Sequence, residues 1–154
     1  MADSHVGLTN GGLTSNFDVS YDDSRTGPDG TTTDIVANAN ALLGVVENEF
    51  SVTTGWFGTP SGKFGTRNRQ RVKLDLAPGS GANNSGYGSD INLDSQSATD
   101  NHALAAAIVE MVFMAEWSEI LMSVAGNWNA GDSSGEGLSQ FCSIQRFLAG
   151  HYDY

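Results

Sequence analysis

Ala105-Ala106-Ala107-Ile108-Val109-Glu110-Met111-Val112-Phe113-Met114 is the stretch on which the fold turns. It lies inside a longer run, His102 to Val124, whose only charged residues are Glu110, Glu116 and Glu119. The first half of that run is apolar nearly all round, the signature of a helix buried through the middle of a domain. Three glutamates exclude it as a membrane span. An ionised carboxylate in such a helix is costly unless it is paired or hydrogen-bonded, so Glu110 is either compensated or protonated.

Outward from this helix the chain reads as a mixture of strands and helices. Phe17 to Tyr21 alternates apolar and polar residues, as does Val72 to Leu76, and both predict half-buried strands. Between them, Ile35, Ala39, Leu42, Leu43, Val46 and Phe50 fall on one face of a helix over 33–54, with Trp56 and Phe57 covering its end. Residues 78–88 read as a loop of Gly, Ser and Asn, and Ile91 to Leu93 as a short edge strand. After a loop from Gly126, Ser133 and Glu136 have capping-box spacing and open a last helix running to about Leu148. These elements predict one α+β domain over 17–150, a small sheet packed on the buried helix plus two further helices. Residues 1–16 are expected to form a polar, Gly-rich arm, and 151–154 a tail.

Composition narrows the function. The 154 residues carry a formal net charge of −11, a field that repels phosphate backbones and anionic lipids, so neither nucleic acid nor membrane is expected as a partner. Cys142 is the one cysteine, which excludes an internal disulfide, and it reads as an inert core thiol. Met1 to His5 shows neither a basic start nor an apolar stretch. No signal peptide is expected, and the chain reads as cytoplasmic or exported by a signal-independent route. His5, His102 and His151 are too scattered to suggest a metal site, and Asp22, Asp23, Asp90 and Asp94 match no calcium loop. Ser139 lacks the Gly-x-Ser-x-Gly elbow of a serine hydrolase.

The order of elements, with a lone carboxylate on a buried helix and another at the start of a later helix, resembles the zincin-like metallopeptidases, specifically the gluzincin, peptidase MA-like group. In that family the buried helix carries His-Glu-x-x-His. Histidines four apart share a helical face and grip one zinc, and the glutamate between them acts as general base. A later helix supplies a glutamate as third ligand. On the register Val109-Glu110-Met111-Val112-Phe113, the general-base position is kept as Glu110 and both histidine positions are apolar. Glu136 stands at the later glutamate, and Gln140 replaces the aspartate that would orient a zinc histidine. Losing ligands and their supporting residue together is what loss of zinc predicts.

The resemblance implies a degenerate scaffold without cofactor or metal, a non-catalytic module for binding or assembly, with Glu110 and Glu136 as a vestigial catalytic pair. The alternative is a hydrolase using Glu110 and Glu136 as an acid/base or metal-binding pair. Trp117, Trp128 and Ser139 are candidate binding residues for a peptide or glycan, together with Trp56, Phe57, Tyr152 and Tyr154. A second copy of the chain is the other expected partner. Short polar arms order cheaply by adding to a strand edge, and the 1–16 arm on Ile91–Leu93 of a neighbour would make a heterologous contact.

Overall fold

A computed structural model gives the architecture for residues 8–24, 33–60, 64, 67–76, 81–94, 102–125 and 133–147, which are the residues described below. The elements in chain order are β1 (Thr9–Leu13), β2 (Phe17–Tyr21), α1 (Thr33–Phe57), β3 (Gln70–Leu76), β4 (Ala82–Asn84), β5 (Asp90–Asp94), α2 (His102–Ala125) and α3 (Ser133–Arg146). The domain is α+β, with a five-stranded mixed sheet in the order β1-β2-β3-β5-β4 and three helices. β2, β3 and β5 run parallel, while β1 and β4 flank them antiparallel.

Alternation along the three central strands builds the core. Phe17 and Val19, Val72 and Leu74, and Ile91 and Leu93 are all fully buried. They meet Ile35, Ala39, Leu42 and Val46 of α1 and Val109, Phe113, Trp117, Ile120 and Leu121 of α2 in one cluster. α2 touches α1, α3, β4 and β5, so it has no broad solvent face. That is why its apolar residues do not keep to a single stripe.

Trp117 is the centre of this packing. It is fully buried and meets Phe17 edge-on at 5.3 Å and Phe50 in a stack at 5.9 Å between ring centroids. Its indole Nε1 donates to Thr53 Oγ1 at 2.9 Å, which satisfies the polar atom that burial would otherwise orphan. The expectation that Trp117 is a binding residue is therefore corrected: between two packed aromatic rings it is core.

Two other expectations also change. Residues 9–13, assigned to a flexible arm, form β1 and pair with β2. A Gly-rich polar strand gains little from side chains, so its stability comes from the backbone ladder. Gly11 and Gly12 let it approach closely, since a Cβ on Gly12 would lie 2.9 Å from Leu43 Cδ1, and one on Gly11 3.2 Å from the Val19 carbonyl oxygen. The domain therefore begins before residue 17. Likewise Ile91–Leu93 is no edge, because β4 arises inside the expected 78–88 loop and covers it through the Ala82–Leu93 and Asn84–Ile91 pairs. The acceptor for an arm from a neighbouring subunit is thus already occupied, and the sheet ends at β1 and β4. The 151–154 tail lies outside the described residues. Among those that are described, no helix is long and apolar enough to cross a membrane.

Replacing Trp117 by Ala removes the ring between Phe17 and Phe50 and the donor to Thr53 Oγ1, which keeps its own bond to the Glu49 carbonyl. The expected cost is about 3–5 kcal/mol in a denaturant melt. A loss under about 1 kcal/mol would show that Trp117 does not organise the core.

Candidate functional site

Val112, Ala115, Glu116 and Glu119 follow i, i+3, i+4, i+7 spacing and share one face of α2. Glu136, Ser139, Gln140 and Ser143 repeat that spacing on α3. The two faces enclose a cleft of about 370 Å³, closed on the sheet side by Ala82 of β4. Three carboxylates therefore converge from two helices: Glu116, Glu119 and Glu136.

The cleft is wired by neutral donors. Asn84 Nδ2 reaches Glu116 Oε2 at 2.9 Å and Glu119 Oε2 at 3.2 Å. Ser139 Oγ lies 3.0 Å from both Glu119 Oε1 and the Glu136 carbonyl oxygen, and its single proton serves one of them at a time. Among the described residues, no Lys, Arg or His lines the cleft. Burial pushes the Glu116 carboxyl up to about 7; the Asn84 amide works against this, and the like charges of Glu119 and Glu136 add to it. Burial also raises Glu119, opposed by Ser139 and reinforced by Glu136.

Glu110 stands elsewhere. A helix turns roughly 100° per residue, so Glu110 and Glu119, nine positions apart, point to opposite sides of α2. Glu110 is half-buried and does not line the cleft. Its carboxyl is raised by burial and then by Glu49 of α1, not by Glu136. The expected facing of Glu110 and Glu136 is thus not found. Glu49 is itself held by Arg146 at the end of α3, whose Nε and Nη2 donate to its two oxygens at 2.7 and 2.9 Å. Val109 and Phe113 are fully buried against the sheet and α1.

Of the other candidates, Ser139 lines the cleft and Trp128 lies outside the described residues. A second, shallower groove of about 510 Å³ runs between the end of α1 and α3, past Trp56, Phe57, Leu138, Phe141 and Arg146. Trp56 and Phe141 are both about half exposed there, at 48% and 57%. Sequence reasoning missed Glu116, Glu119 and Asn84. The available signal was the i, i+3 pair of glutamates on a helix otherwise without charge after Glu110.

The zinc of the resembling family finds no donor set here. Zinc prefers imidazole and thiolate, but the cleft offers three carboxylates, the amides of Asn84 and Gln140 and the hydroxyls of Ser139 and Ser143. Among the described residues, no group of three His, Cys, Asp or Glu is arranged to hold a metal ion. Compared with protein-family models, characterised proteins and solved structures, the chain matches none, so the site is read from its own geometry.

Arg146→Ala leaves the Glu49 carboxylate, 2% exposed, without its cation. The expected loss is about 2–3 kcal/mol, at the lower end for a buried pair because the guanidinium is one-third exposed. Adding Glu49→Gln should recover part of that loss, and an unchanged single variant would contradict the clasp. Glu110→Gln tests the other side of α2. The folded pKa of Glu110 lies above its unfolded value, so the stability from its bound proton is present below the ordinary carboxyl pKa and lost as pH rises through the folded one. The variant should match the parent in acid and exceed it at neutral pH. A large neutral-pH loss would show an ionised Glu110 with essential partners.

Proposed function

We propose that the chain is a non-catalytic, metallopeptidase-like domain that serves as a binding or assembly module. One observation carries the reading: carboxylates of a buried helix and of a later helix converge in one cleft, with no imidazole among the residues that line it. Relative to the resemblance stated from sequence, the better register is Ala115-Glu116-Trp117-Ser118-Glu119. Glu116 is the helix glutamate that meets Glu136, and the two histidine positions are Ala115 and Glu119. This register keeps the scaffold and, like the one centred on Glu110, lacks both imidazoles. Neither Ala115 nor Glu119 offers nitrogen, and Glu119 is engaged by Ser139 and Asn84.

The module reading is supported further by the groove between α1 and α3. Its exposed Trp56 and Phe141 suit a peptide or glycan, or a second copy of the chain. A second reading draws on the near-neutral carboxyl of Glu116. A hydrolase using Glu116 as proton donor, with Glu119 or Glu136 as its partner, would have in one cleft the two carboxyls that such chemistry needs.

The test is metal content and activity. Protein incubated with excess zinc and desalted should retain no stoichiometric zinc and show no chelator-sensitive peptidase activity. One zinc per chain that disappears in Glu136→Gln would overturn the proposal. Metal-independent hydrolysis abolished by Glu116→Gln would favour the second reading.

A further inference from the structure

α3 is attached to the domain by two unlike contacts. Its C-terminal end is clasped by the Arg146–Glu49 pair, where opposite charges meet. Its N-terminal half faces Glu116 and Glu119 of α2 across the cleft, with Glu136 exposed at the rim, so acidic groups gather there without a cation. The groups facing these carboxylates are Asn84 from β4 and Ser139, Gln140 and Ser143 from α3, all neutral. Glu110, the nearest other carboxylate of α2, faces Glu49 instead. With no cation among the described residues that line it, ionisation of Glu116 and Glu119 would leave part-buried charge on the α2 wall against a neutral α3 face, which opening to water relieves.

We infer that a proton in the carboxylate cleft holds α3 against α2, so that the N-terminal half of α3 loosens as the pH rises to neutrality. The inference rests on the cleft and not on the peptidase-like reading. Glu116 is the residue that holds the proton. It is the most deeply enclosed of the three, and it feels both other carboxylates. Glu136 sits in the first turn of α3, where the helix dipole favours negative charge. α3 packs chiefly on α2 and contributes no strand to the sheet, so it can open without unfolding the core.

The direction follows from linkage. A proton bound more tightly in the closed state than in the open one stabilises closure fully below the ordinary carboxyl pKa. That stabilisation is lost as pH rises through the closed-state value. For one proton, the opening constant rises by up to roughly tenfold per pH unit across that window and then levels off.

Hydrogen exchange on the full chain tests it, with rates corrected for intrinsic pH dependence. Between about pH 5.5 and about pH 8, amides of α3 should lose protection by roughly tenfold or more, while those of β3 and the middle of α1 stay unchanged. Glu116→Gln, checked for folding by circular dichroism, should keep α3 protected at both pH values. Four results would overturn the inference: pH-independent protection of α3, equal loss in every helix, an unchanged slope in Glu116→Gln, or protection restored at about pH 8 by added zinc or magnesium alone.

Discussion

A helix enclosed by a sheet and two other helices leaves its charged residues only the seams between neighbours, and α2 is such a helix. Trp117 sets its position by wedging between Phe17 of β2 and Phe50 of α1 and by spending its one donor on Thr53. With that ring fixed, the rotation of α2 is fixed. Val109 and Phe113 go to the sheet, Glu110 to the seam with α1, and Glu116 and Glu119 to the seam with α3. The electrostatics of the domain follow from this one packing choice.

Two carboxylate problems are solved by different means. Glu49 receives a guanidinium with two hydrogen bonds. The α2–α3 cleft receives only an amide and a hydroxyl. The chain has few cations to distribute, seven Lys and Arg against eighteen Asp and Glu. Those that are described are spent on structure. Arg67, Arg71 and Lys73 converge on Asp90, Arg69 donates to the Thr14 carbonyl, and Arg146 holds Glu49. This leaves no basic stripe among the described residues.

The long elements were legible because their pattern is their cause. The alternation of β2 and β3 and the apolar spacing of α1 and α2 describe faces that must be buried, and each lies within a few residues of the expected span. β1 and β4 were not legible. Both are short, polar and rich in Gly or Asn, and they exist because β2 and β5 offer them a hydrogen-bonding edge, which no local pattern records. The site was half legible for a related reason. Sequence singled out a carboxylate on the buried helix, Glu136 and Ser139 as belonging together. It chose Glu110, the carboxylate in the most apolar surroundings, over Glu116. Deciding between them requires knowing which face of α2 is covered by α3, and that is set by tertiary packing.

The central claim is that α2 and α3 share a site through Glu116 and not through Glu110. A pair of double-mutant cycles measured above neutral pH addresses it directly, with each glutamate replaced by Gln and stability read from denaturant melts. The account expects Glu116 and Glu136 to be coupled by at least about 0.5 kcal/mol, because removing either charge relieves the other, while Glu110 and Glu136 add independently. Coupling between Glu110 and Glu136, with additivity between Glu116 and Glu136, would contradict it.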